Sequence, residues 1–186
     1  SSPLYDYGDS MRIGTNTATD DEKDLSKVSC DLNLYEQYAR GYLEACGDVL
    51  TKEELELLPY ASLIITSEDG IRFLMDHGAK TIKFVDRTFN ISRSYAMEMF
   101  QFLIDEHKPG VVFQFEITAD IMRPEVIQFL NENAPKGLFR FEIGVQSTND
   151  LTNDLVKRRQ NFEKLTRTVT MVKEGGKIDQ HLDLIA

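Results

Sequence analysis

Apolar residues recur at three- and four-residue steps through Val28, Leu32, Tyr35, Tyr38 or Ala39, Tyr42, Leu43 and Cys46. That period predicts an amphipathic helix ending around Gly47. The stretch from Ser10 to Asp21, rich in Asp, Thr and Asn, reads as a loop before it. Thr51 and Glu54 have the spacing of a capping box, in which the hydroxyl accepts from the Glu54 N–H and the carboxylate reaches back. A second helix then runs through Leu55 and Leu58, Pro59 kinks or restarts it, and a helical tail carries Ile71, Leu74 and Met75.

Beyond residue 78 the period changes. Thr81–Asp86, Val111–Thr118, Leu138–Val145 and Lys177–Ile185 are rich in Phe, Ile and Val and read as strands. Turn signals flank them at Lys108-Pro109-Gly110, Ala134-Pro135-Lys136-Gly137 and Gly175-Gly176. Helical runs lie between: Ser92–His107, Pro124–Asn133 with proline in its first turn, and Asn149–Glu174 with a break near Gln160-Asn161. Strands alternating with helices imply βαβ units, and right-handed crossovers then force parallel strands. The expected fold class is therefore α/β: a partial parallel (β/α) barrel of about four βα units, preceded by an α-helical segment.

Charge divides at the same place. Residues 1–77 hold 6 Lys and Arg against 16 Asp and Glu, whereas residues 78–186 hold 15 of each. The whole net charge of −10 thus belongs to the first segment. With the change of period, this predicts two pieces, residues 1–75 and 76–186. Neither carries the basic patch of a nucleic-acid binder. No apolar run approaches the roughly 20 residues needed to span a bilayer, and Ser1–Asp6 lacks the pattern of a signal peptide. The expected location is the cytoplasm. Cys30 and Cys46 are too far apart for a C-x-x-C pair, so they read as buried or idle thiols.

In a parallel barrel, ligands gather at the C-terminal ends of the strands and alternate residues point inward. Taking the set that ends each strand on a polar residue gives Asp86, then Gln114 and Glu116, then Arg140, Glu142 and Gln146, then His181 and Asp183. Such groups need ligand, water or each other, because burial without a partner costs roughly 1–3 kcal/mol each. The alternative is that half of them lie on the surface of strands whose parity is opposite.

Gly144-Val145-Gln146-Ser147-Thr148-Asn149-Asp150, then Arg158, the closing Leu182-Asp183-Leu184-Ile185 and the earlier Lys83-Phe84-Val85-Asp86-Arg87-Thr88-Phe89-Asn90 together resemble the radical SAM core. The likeness is to members that often carry a cobalamin-binding domain, and it covers residues 78–186. It implies an S-adenosylmethionine site in which the loop after Asp86 lies near the methionine amino group. Glu116, Gln146, Arg158 and Asp183 would line the methionyl and ribosyl parts, with Arg159 as the alternative to its neighbour. An Arg guanidinium can grip a carboxylate bidentately, and carboxylates can accept from ribose hydroxyls. The family also holds an iron–sulfur cluster on C-x-x-x-C-x-x-C thiolates. No cysteine follows Cys46, so the expectation is a cofactor-site scaffold that is inactive alone.

The first segment resembles something else. Leu4-Tyr5-Asp6-Tyr7-Gly8-Asp9-Ser10-Met11-Arg12, Asn16-Thr17-Ala18, Asp24-Leu25-Ser26-Lys27-Val28 and Glu68-Asp69-Gly70-Ile71-Arg72-Phe73-Leu74 are similar to the C-terminal lobe of aminoglycoside-phosphotransferase-like kinases, N-acetylhexosamine kinases in particular. The resemblance implies a helical wall, with Asp6, Asp9 and Arg12 supporting a catalytic loop or sugar. The base, the metal-binding Asp and the phosphate-binding Lys that such kinases need would all precede Ser1. Three readings therefore stand: a radical SAM-type core fragment, a sugar phosphotransferase fragment, and a non-catalytic fusion that self-associates through unsatisfied apolar faces.

Overall fold

A computed structural model describes residues 3–19, 22–85, 88–146 and 161–184. The chain divides into two compact units, Ser1–Gly70 and Ile71–Ala186. The boundary falls inside one helix, Ala61–Asp76.

The first unit is helical. Helix α1 spans Pro3–Gly14 and buries Leu4, Tyr7, Gly8 and Met11, which share one face by their spacing. It occupies part of the stretch expected to be loop. Gly8 is required there by close approach: a Cβ would lie 2.6 Å from the Ala61 carbonyl oxygen. The chain then turns back, with Asn16 bridged to Cys30 and the Thr17 hydroxyl donating to the Lys27 and Ser29 carbonyls. Helix α2 (Leu32–Cys46) starts four residues after Val28, because the Asp31 carboxylate caps it by accepting from Asn33 and Leu34 N–H. Its inner stripe, Tyr35, Ala39, Tyr42 and Cys46, is half-buried. The expected capping box of Thr51 and Glu54 is formed, with both reciprocal bonds present, at the start of α3 (Lys52–Leu57). Pro59 sits in a 3₁₀ turn, Leu58–Tyr60, and α4 (Ala61–Asp76) follows. Leu57, Leu58, Ala61, Ile64 and Ile65 complete the core of this unit.

The second unit carries a four-stranded parallel sheet: β1 Thr81–Phe84, β2 Val112–Ile117, β3 Phe139–Gln146 and β4 Asp179–Leu184. The spatial order β1-β2-β3-β4 is the chain order. Helices α5 (Arg93–Glu106), α6 (Pro124–Asn133) and α7 (Phe162–Gly175) lie between the strands in sequence. Strands in chain order joined by crossovers of one hand place all their helices on one face, whereas a doubly wound sheet reverses its order and covers both. The packing agrees. Phe100 of α5 contacts Phe115, Phe139 and Phe141, and Gln180 of β4 donates to the Val169 carbonyl of α7 on the same side. Phe113, Phe115, Phe139, Phe141 and Ile143 are fully buried beneath these helices with Met99, Leu103, Ile127 and Leu130. Each such side chain stabilises the fold by roughly 1.5–3 kcal/mol relative to exposure.

The four strands, the helix at Pro124–Asn133 and the parallel pairing agree with the sequence reading, with ends shifted by up to two residues, and α7 starts just after the expected break at Gln160-Asn161. A closed barrel is not part of the described fold. The expected helical stretch before Gln160 lies outside the described residues. No described helix is long and apolar enough to cross a membrane. Cys30 corrects an expectation: it precedes α2, is exposed, and places its thiol 3.3 Å from the Thr15 hydroxyl, while Cys46 is half-buried.

Candidate functional site

Register fixes which side chains share the face of the sheet opposite the helices. Lys83 aligns with Gln114, and Gln114 with Arg140. Glu116 aligns with Glu142, Glu142 with His181, and Arg140 with Asp179. Aligned residues of neighbouring parallel strands point the same way. The face is therefore a field of charged side chains, and their alternating partners are the buried Phe and Ile residues.

The centre of this field is a connected network. The Lys83 Nζ donates to Glu142 Oε2 at 2.8 Å and lies 3.5 Å from Glu116 Oε1. The Gln114 amide donates to the other Glu142 oxygen. These donors, the Lys83 hydrogen bond first, hold the Glu142 carboxyl below its ordinary range against the opposing effect of burial. The bond to Glu142 likewise raises the Lys83 ammonium above its ordinary range. At the edge, Arg140 lies 4.0 Å from Asp179 and His181 4.0 Å from Asp183, all largely exposed. Of its charged side chains Glu142 is the best covered, at 21% exposed, so the face can receive a polar ligand without displacing packed core.

Of the residues singled out in the sequence, Gln114, Glu116, Arg140, Glu142 and His181 are brought to this one face. Asp183 pairs in register with Gly144 at the β4 end, next to an irregularity between Gly144 and Gln146. Gln146 is the last residue of β3. Asp86, Arg158 and Arg159 lie outside the described residues. The functional residue missed was Lys83. Ending the first strand on Asp86 gave it even parity, yet Ile82 and Phe84 on the apolar side already placed Lys83 on the other. Among the described residues, no group of three His, Cys, Asp or Glu could hold a metal ion.

A second feature lies at the starts of α5 and α6. A cleft of about 480 Å³ separates them, with Arg93 and Arg123 among its lining. In the first unit, Arg12 pairs with Asp9 at 2.9 Å and lies 3.8 Å from Asp69, an exposed cluster. No known protein family matches the chain, and no solved structure matches it.

Proposed function

We propose that residues 71–186 are the S-adenosylmethionine-binding half of a radical SAM-type (β/α) barrel, a cytoplasmic cofactor-binding scaffold that performs no radical chemistry alone. The observation that carries this reading is the sheet: strands in chain order, helices on one face, and a charged network on the other. Curled and extended, such a sheet makes the wall of a barrel whose charged face becomes the lumen.

The donor set fits one part of the family's equipment and not the other. Glu116 and Asp183 can accept hydrogen bonds from ribose hydroxyls or an ammonium group, and Lys83 and Arg140 can donate to a carboxylate. Lys83, 3.5 Å from Glu116 Oε1, orients that carboxylate at the edge of the network. When bound, the cofactor would supply an electrophilic sulfonium. An iron–sulfur cluster does not fit: both cysteines, Cys30 and Cys46, belong to the first unit and lie 16 residues apart, so three thiolates cannot be assembled from this chain.

Calorimetric titration with S-adenosylmethionine and with S-adenosylhomocysteine tests the reading. Saturable binding is expected, weakened about tenfold by Glu116→Gln or Asp183→Asn, the cost of one hydrogen bond to a charged group. A folded protein that binds neither compound at millimolar concentration overturns it.

A second reading, self-association, is favoured by the apolar surface of the first unit. Leu25, Leu32 and Val49 are each at least 75% exposed, and α2 has no fully buried residue. Light scattering across a range of concentration tests it. A concentration-dependent mass that Leu32→Ser abolishes supports it, and a constant monomer mass overturns it.

A further inference from the structure

The cleft between the first turns of α5 and α6 is built differently from the charged face. Its floor is apolar, formed by Ala96, Met122 and Val126, all buried. Its wall is fixed by Asn90, 8% exposed, whose amide donates to the Thr118 carbonyl at 2.9 Å and accepts from the Thr118 N–H at 3.1 Å. The loops after β1 and β2 are thereby tied together, and the cleft is preformed.

Its rim is cationic in a strongly acidic protein. Arg93 and Arg123 share one carboxylate oxygen, that of Glu125, at 3.9 and 3.8 Å. Both separations exceed hydrogen-bond length. Among the described residues, neither guanidinium makes a hydrogen bond, although each presents five N–H donors. Among the described residues of the rim, these two cations against one carboxylate leave a charge of +1. The N-termini of α5 and α6 point their positive ends to the same place.

We propose that this cleft binds a small organic anion, with its apolar body on Ala96, Met122 and Val126 and its carboxylate or phosphate head between Arg93 and Arg123. The volume suits one ring or a short chain and falls within the usual range for small-molecule sites. The apolar floor selects against a bare inorganic ion, and the guanidinium pair selects against a neutral body. Glu125 is the competitor that the head group displaces. The inference is independent of the cofactor reading, because it uses none of the residues on the charged face.

Titration of the whole chain at low salt with phenyl phosphate, inorganic phosphate and phenol, followed by amide chemical shifts, tests it. Phenyl phosphate should bind in the millimolar range or tighter, with shifts centred on Ala96 and Val126, and the other two at least tenfold more weakly. Arg93→Met and Arg123→Met should each weaken phenyl phosphate about fivefold, an exposed charge-assisted bond. Glu125→Gln should tighten it, while Glu132→Gln at the other end of α6 leaves it unchanged. Both arginines are more than half exposed, and an unchanged circular dichroism spectrum confirms that each variant folds. Inorganic phosphate binding as tightly as phenyl phosphate would overturn the proposal, as would folded arginine variants of undiminished affinity or equal effects of the two glutamate substitutions.

Discussion

Lys83 of β1 bonds Glu142 of β3 across the whole width of β2. Two strand spacings amount to roughly 10 Å, which the lysine and glutamate side chains span together when both lie along the sheet. Gln114 of the intervening strand donates to the same carboxylate. One carboxylate thus ties three strands together on the face opposite α5, α6 and α7.

Replacing Lys83 with Met should therefore change how stability responds to acid. Glu142 titrates below its unfolded value, so its contribution is present at neutral pH and lost as pH falls through its folded value. In Lys83→Met the Glu142 titration moves upward and the loss between neutral and acid pH becomes smaller. The Lys83 ammonium has the opposite sign: its contribution is present below its unfolded value and lost only at strongly alkaline pH. Carboxyl-carbon NMR titration with urea unfolding at each pH reads both. An unchanged Glu142 midpoint would sink this account.

The aromatic core should dominate the stability of the second unit. Phe115 is fully buried among Phe84, Phe89, Phe100 and Phe139. Phe115→Ala should cost about 3–5 kcal/mol. Phe162 is half-exposed at the start of α7, and Phe162→Ala should cost about 1 kcal/mol or less. Denaturant unfolding followed by circular dichroism compares them, and similar losses would contradict the packing described.

Two glycines of the first unit should respond in opposite directions to alanine. Gly8→Ala drives a methyl against Ala61 backbone and the Ile65 side chain, 2.6 to 2.7 Å away. Helix α1 must shift, at about 1–3 kcal/mol. Gly41 lies within α2 with open space around it, so Gly41→Ala should stabilise by roughly 0.5–1 kcal/mol. Thermal melts of the two variants decide the matter.

Tyr7 should make the first unit sensitive to alkali. It is 2% exposed, and burial first, then the hydroxyls of Tyr35, Tyr38 and Tyr42, raise its phenol well above the ordinary range. A phenol raised in the folded state contributes stability below its unfolded value that is lost as pH rises. Tyr7→Phe should flatten the alkaline limb of the stability profile. Six of the seven tyrosines lie in residues 1–70, so tyrosine absorbance follows this unit selectively. An unaltered alkaline limb would rule Tyr7 out as its source.

Much of the second unit is legible in the sequence because its signals are local and mutually consistent. Phe and Ile alternate with polar residues along β2 and β3, and Gly110 and Gly137, at φ 79° and 78°, mark the turns before them. Pro124 starts α6 where a proline belongs. Helix α1 was less legible. Ser10 and the Thr-Asn run beyond Gly14 carry the composition of a loop, yet the buried stripe of Leu4, Tyr7 and Met11 holds the helix past Ser10 to Gly14. Tertiary burial overrode composition there. Lys83 was missed for a different reason: the inward face was chosen from the polar residue closing the strand, Asp86, which shares its parity with Ile82 and Phe84 on the apolar side.

The chain-order sheet has a consequence for how the protein is made. Every described strand pairs only with the described strand synthesised just before or after it, so none of them waits for a later one to be inserted beside it. The unit can grow on the ribosome one βα step at a time, by short-range closures that favour rapid folding. At each step the newest strand is the exposed edge. Among the described strands that place belongs to β4, whose Leu182 and Leu184 are 42% and 67% exposed. Aggregation during synthesis should therefore begin at β4, and a charged residue in place of Leu184 should raise soluble yield without changing the fold already formed upstream.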